Sequence, residues 1–308
     1  MTNPDSSLHA LDDIFVIDHR GQPVVCIGLS QTFYLADCTS LETRLRIGRC
    51  AEDYLQRYGD KIRKTQIECG KWRKPAKQSM EDFITNRSTP EKHLMILLSG
   101  APALDELDWY TFDALADDRY GGAKLAFVTF SIPLADLEGA PRGAFQHMMK
   151  DWLALLRPVH AYGGFSTIFP IDGREARKLT YPLVMRFPGL DQDDPIWFWG
   201  KTLDQGIKGA HWLVYLNPTH IAALGGPETL TARLGEGFRV DPVAGGVLIQ
   251  AGATPQLGDR NQNLRPQYYE RLGKILAPIR VVISTNGYLD PEGEDPVLKT
   301  QDWLARFD

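Results

Sequence analysis

"DIFVIDHRGQPVVCIGLSQTFYL", residues 13–35, carries β-branched and aromatic residues on both sides of a break at His19-Arg20-Gly21-Gln22-Pro23. Such residues suit a pleated, half-buried surface and Gly/Pro punctuates it, so the stretch reads as two or more strands around a turn. A helix follows. Thr39 and Glu42 have capping-box spacing, and Leu41, Leu45, Gly48, Cys50, Ala51, Leu55 and Tyr58 recur at helical intervals up to Gly59. "HLMILLSGA" (93–101) and "AKLAFVTFSI" (123–132) are apolar runs too short to cross a membrane and suited to buried strands. The acidic stretch "PALDELDWYTFDALADD" lies between them.

From residue 143 the pattern sharpens. Phe145, Met148, Met149, Trp152, Leu153 and Leu156 form one helical face, stopped by Pro158. "HAYGGFSTIF" then reads as a strand with a bulge or close packing site at Gly163 and Gly164. A helix is expected at 173–186, a break at "FPGLDQDDP", a strand at 211–216, and a short helix in "NPTHIAALGG" closed by its glycines. "GGVLIQAGATPQLGDRNQNLRP" (245–266) begins as a buried strand and breaks into a polar loop ahead of a helix bearing Tyr268, Tyr269, Leu272, Ile275 and Leu276. The stretches beginning at Phe127 and Val247 share one plan of strand, proline, polar loop, helix and proline. The expected fold is α+β: mostly antiparallel mixed sheet flanked by helices, with two similar strand–loop–helix units. Its strands fall at 93–101, 123–132, 160–169, 211–216 and 246–251.

Composition narrows the function. With 308 residues, 43% hydrophobic and 24% charged, the chain can bury a large core. It shows neither a signal-peptide pattern at "MTNPDSSLHALDDIFVI" nor a run near the roughly 18 apolar residues of a membrane span, so a cytoplasmic protein is expected. Cys26, Cys38, Cys50 and Cys69 form no C-x-x-C pair and read as buried thiols. The scattered histidines match no metallohydrolase or deaminase motif, and no metal or cofactor is expected.

The loop at 252–263 lacks both phosphate-binding glycine motifs, and Asp259 places a negative charge where a phosphate would sit. His160 and Ser166 share a strand face without the G-x-S-x-G elbow of a nucleophile. A net charge of −5 argues against nucleic acid as the main partner. Two rivals stay open: a nucleic-acid-binding module resting on the basic run around Trp72 at 61–77, and a hydrolase resting on His160 or the 252–263 loop. Acidic clusters point elsewhere. Asp105, Glu106 and Asp108, then Asp113, Asp117 and Asp118, then Asp191, Asp193 and Asp194 beside Trp197 and Trp199 suit a surface that docks a basic protein, with aromatics as anchors and carboxylates steering encounter.

"LLRPVHAYGGFS", "RKLTYPLVMRFPGLD", "HWLVYLNPTHIAALGG" and "GGVLIQAGATPQLGDRNQNLRPQYYERLGKILAPIR" resemble successive signature segments of the type VI secretion immunity protein family, over about residues 123–285. The common family form has Trp-Leu-Thr where this chain has Trp212-Leu213-Val214, a conservative departure for a strand. The resemblance implies a single immunity-type domain over 1–308, with the 1–90 portion packed on it. It also implies a protein that binds and neutralises a cognate type VI effector toxin, a nuclease encoded by an adjacent gene, by occluding its active site and without catalysis of its own. Gly252, Gly258 and Asp259 then need only shape a tight strand-to-helix connection, with Asp259 capping backbone N–H groups.

Overall fold

The computed structural model of the chain describes residues 11, 14–18, 20–68, 70–75, 79–87, 93–117, 126–139, 143–171, 173, 178–192, 195, 206–283, 287–289 and 293–308. It is an α+β fold built on one 10-stranded sheet. The strands are β1 (Phe15–Ile17), β2 (Pro23–Leu35), β3 (Lys64–Ile67), β4 (Leu94–Ser99), β5 (Thr111–Ala116), β6 (Ala126–Ile132), β7 (His160–Ile168), β8 (Leu213–Leu216), β9 (Phe238–Val243) and β10 (Gly246–Ala251). Their order is β3-β4-β5-β6-β2-β7-β8-β10-β9, with β1 on β2, and every named pairing is antiparallel.

The 13-residue strand β2 joins the two halves, pairing with β6 through Leu29–Leu35 and with β7 through Cys26–Tyr34. A two-residue period sends its odd positions to one face and its even positions to the other. Phe33 meets Trp152, and Gln31 Nε2 donates to the carbonyl of Phe145, so the odd face lies under the helix Ala144–Leu156. All six residues expected on that helix's apolar face are buried. Trp152 also contacts Phe112 and Phe130 from β5 and β6, and its Nε1 donates to Asp53 Oδ2 on the helix Leu41–Tyr58.

That helix departs from expectation by a small rotation. Ser40 is its cap, accepting from the Thr43 N–H at 3.1 Å, while the Thr39 hydroxyl donates to Asp37. Both residues can cap, and the left-handed turn at Asp37 (φ 56°) delivers Ser40 to the extended cap position. The buried face is therefore Thr43, Arg44, Ile47, Gly48, Cys50, Ala51 and Tyr54, and Leu41 is exposed. Arg44 is buried because its Nε donates to the Cys38 carbonyl.

The expected strands at 93–101, 160–169, 211–216 and 246–251 are β4, β7, β8 and β10, and β6 takes 126–132 of the fifth, 123–132, whose residues 123–125 lie outside the described residues. The expected helix at 173–186 is described as helix over Tyr181–Arg186, after residues 174–177, which are not described. Gly163 is a close-packing site and not a bulge: the β2–β7 register runs unbroken through it, and a Cβ there would lie 2.9 Å from Gln31 Cγ. The two strand–loop–helix units both exist and share the sheet, with β6 between β5 and β2 and β10 between β8 and β9. Cys26, Cys38 and Cys50 are buried thiols outside any disulfide; Cys69 lies outside the described residues. Among the described residues no helix is long and apolar enough to cross a membrane.

Candidate functional site

The loop between β4 and β5 is built around one buried carboxylate. Asp108 Oδ1 accepts the N–H groups of Gly100 and Ala101 at 2.9 and 3.1 Å, and Gly100 N–H also reaches the Tyr110 carbonyl at 2.9 Å. Burial lifts the Asp108 carboxyl to about 6, against the downward pull of Ser99, those two N–H groups and Lys64. With Asp108 fixed inward, its neighbours face out. Asp105, Glu106, Trp109 and Tyr110 line an open groove of about 1170 Å³, closed opposite by Arg20, Asp60, Lys61 and Pro133.

The charges in this groove are mixed and mostly solvated. Arg20 Nη1 stands 3.8 Å from Asp105, both more than half exposed, and Lys61 pairs with Asp60 at 2.7 Å. Arg20 also donates to Asp18, whose carboxyl is held at about 2, first by the Gln22 N–H and then by Arg20. Tyr110 donates its hydroxyl to Asp136 at 3.2 Å, and burial pushes that carboxyl up. An exposed acidic lip beside a half-buried tryptophan can steer a basic partner and then anchor it.

The expected interface residues divide sharply. Asp105 and Glu106 are exposed on the groove. Asp108 and Asp117 are buried, at 0% and 2% exposure, so neither offers a surface charge. Asp118, Asp193, Asp194, Trp197 and Trp199 lie outside the described residues.

Asp191 is a correction. It is 2% exposed and its Oδ2 accepts from Lys208 Nζ at 2.7 Å, with Lys208 itself 1% exposed. Residues 187–192 of the polar break are drawn inside because their backbone is satisfied there. Asp191 N–H donates to Phe165 and its carbonyl accepts from Thr167, while Gly189 N–H donates to Leu257. Lys208 also donates to the Gln192 carbonyl, and its ammonium lies 4.9 Å from the Tyr162 ring centre and 5.6 Å from that of Trp303. The hint in the sequence was a lone lysine in "GIKGAHWLVYL", a glycine-flanked apolar run.

The other candidates resolve into structure. Asp259 caps the 3₁₀ turn Arg260–Gln262, accepting the Asn261 N–H at 2.9 Å, and takes both Nε and Nη2 of Arg186 at 3.1 and 2.8 Å, which hold its carboxyl below the usual range. Gly252 and Gly258 are left-handed there, with φ of 86° and 68°. His160 is fully buried; its Nδ1 is 2.9 Å from the Tyr215 carbonyl, and its ring meets His220 edge-on. In the basic run, β3 takes Lys64–Ile67 and pairs with β4, a strand the charge-rich sequence concealed. Among the described residues, no cluster of three His, Cys, Asp or Glu is placed to hold a metal.

Comparison with known families gives a match over residues 46–307 to TsiV, type VI immunity for VRR-NUC. The chain belongs to the TsiV family. The match takes in both halves of the sheet from β3 onward and the groove segment 100–110. Among solved structures, the Pseudomonas aeruginosa T6SS protein PA0821 is similar with a TM-score of 0.85 at 22% identity, over 99% of this chain and 89% of that one. At that identity the likeness speaks for the fold. No curated protein matches. Membership of TsiV makes this chain a type VI immunity protein.

Proposed function

We propose that this TsiV chain binds a type VI effector toxin of the VRR-NUC nuclease kind and neutralises it by covering its active site. The observation that carries the reading is the family match over residues 46–307. The docking surface is the open groove bearing Asp105, Glu106 and Trp109. A nuclease cleft holds basic side chains for the phosphate backbone, so carboxylates on the rim of an inhibitor compete for them and speed encounter. An interface of standard size takes about 20–30 residues from each partner, which the groove supplies only with neighbouring segments. The immunity protein acts in the cytoplasm, where the toxin meets nucleic acid, and does so as a single domain by binding, without turnover.

The test is direct. The effector's C-terminal toxin domain, encoded beside this gene, is co-expressed with the chain, and the two are co-purified and assayed for DNA cleavage. A stable complex with cleavage suppressed at equimolar chain is expected. Full cleavage in the presence of excess folded chain sinks the reading.

A further inference from the structure

The sheet face opposite the helices Leu41–Tyr58 and Ala144–Leu156 carries a second groove, of about 300 Å³, with Trp72 at one end and Phe169 and Ile171 at the other. Strand register fixes its floor. Ser30 stands opposite both Ser131 and Gly164, Thr111 opposite Ser131, and Asp113 opposite Thr129. The hydroxyls are laddered, Thr32 to Thr129 at 2.9 Å and Thr111 to Ser131 at 2.7 Å. Three lining side chains, Asp108, Ser166 and Thr167, are left with polar atoms unmet. Asp108 is fully buried, and its Oδ2 has no hydrogen-bond partner among the described residues; the Ser99 hydroxyl, which accepts from the Ala101 N–H, draws this carboxyl down from nearby. Ser166 is 1% exposed, and its Oγ is likewise unmet. Native proteins rarely leave such groups without a partner, and a bound group supplies one.

From β5 across β6 and β2 to β7 is three strand spacings, about 14 Å, room for about four residues of extended chain. We propose that this groove seats an extended segment of the bound effector, with an arginine side chain at the Asp108–Trp72 end. Only the identity of the partner rests on the immunity reading.

The chemistry selects the occupant. Two carboxylates in the lining, Asp108 and Asp113, repel an anion, and a purely apolar group leaves the hydroxyl floor dry. A guanidinium brings planar donors for a buried carboxylate oxygen and stacks on an indole face. Lys71, Arg73 and Lys74 flank Trp72 in sequence, but of residues 70–75 only Trp72 lines the groove. The two grooves share a wall: Asp105, Glu106, Trp109 and Tyr110 face the first, while Asp108, Thr111 and Asp113 face the second. One partner can therefore engage both.

The experiment titrates N-acetyl-arginine amide into the full chain and follows the Trp72 indole N–H and the Gly100 and Ala101 amides by NMR. A saturable shift with a Kd on the order of 1–10 mM is expected, with none from N-acetyl-citrulline amide, which has the same shape without the charge. Asp108→Asn keeps the Oδ1 acceptor for the loop and turns the unmet oxygen into a donor, so affinity should fall at least roughly tenfold at a thermal midpoint no lower than the native chain's. Trp72→Leu removes the stacking face without touching that loop, and should weaken binding even if Asp108→Asn fails to fold. Equal shifts from the citrulline amide, no saturable shift, or undiminished affinity in Trp72→Leu or in folded Asp108→Asn overturns the proposal. No effector is present, so this failure leaves the immunity reading standing, whereas a chain that binds arginine but not the toxin loses that reading alone.

Discussion

The same face of one sheet is treated in opposite ways at its two ends. Over β7 and β8, segments 206–211 and the helix Pro296–Leu304 close on Tyr162, and a lysine, an aspartate and a histidine lie sealed among aromatic rings. Over β4 to β6 the same face stays open, and Thr111, Asp113, Thr129 and Ser131 remain half-exposed. Residue types are similar in both places; what differs is how closely the counter-charge is seated. Asp191 has Lys208 bonded at 2.7 Å, whereas Lys64 acts on Asp108 through space and no described side chain bonds its Oδ2. Polar groups at the sealed end therefore answer to stability, while on our proposal Asp108 at the open end answers to a partner.

The strongest way to break this contrast is at Lys208. Lys208→Ala leaves Asp191 buried without its cation, and a loss of about 3–5 kcal/mol is expected in chemical denaturation. The double replacement Lys208→Met with Asp191→Leu removes both charges and should regain most of that loss. If Lys208→Ala is as stable as the native chain, the sealed cluster is not a stability element.

Acidification sharpens the contrast next. His160, His211 and His220 have pKa values pushed below the ordinary 6.5 by burial, with His220 adding to the effect on His160 and Lys208 to that on His211. Below pH 6.5 the unfolded chain takes up protons that the folded rings refuse, so stability is lost as pH falls from 7 towards 5, by up to about 1.4 kcal/mol per pH unit for each ring. Asp108 works the other way. Its folded carboxyl, raised to about 6, keeps a proton that the unfolded chain has already lost, so its contribution is present below about pH 4 and lost as pH rises through 6. Three rings outweigh one carboxyl, and the thermal midpoint should drop between pH 7 and 5. His211→Phe, which keeps the stack on Tyr162, should flatten that slope; an unchanged slope would remove His211 from the account.

A smaller effect is expected at Asp259→Ala, which removes the cap on Asn261 and the fork to Arg186: about 0.5–2 kcal/mol, with toxin binding retained. Vanished binding at an unchanged midpoint would turn this loop into interface.

The reasons for what the sequence disclosed lie in range. The strands at 93–101 and 246–251 and the helix face from Phe145 to Leu156 were legible because apolar periodicity is local. β5 was hidden inside "DWYTFDALADD", although Phe112, Ala114 and Ala116 alternate with Thr111 and Asp113, because its aspartates give the stretch the composition of a solvated loop. β9 was missed because Ala244-Gly245 makes its hairpin turn in place of Asn-Gly, with φ of 51° and 81°. The site was harder. Asp105 and Asp191 are the same residue in equally acidic surroundings, and only Lys208, 17 positions beyond Asp191 and folded onto it, separates a surface charge from a core one.

That pair gives the finest test. Reversing Asp105 and Glu106 to Lys should leave the thermal midpoint where it is, because the Arg20–Asp105 contact spans 3.8 Å between side chains 55% and 66% exposed, and solvent screens it. Binding should change instead. Exposed charges act on encounter, so the association rate should fall and its dependence on salt shrink, while dissociation hardly moves. Trp109→Ala should show the opposite split, a faster dissociation at unchanged association, because a half-buried ring anchors without steering. Asp191→Lys, the same reversal at the sealed end, should fail to fold before any rate can be read, since it sets a second cation against Lys208 with no water to separate them. Unaltered kinetics in the folded Asp105→Lys, Glu106→Lys chain would move the interface off this groove.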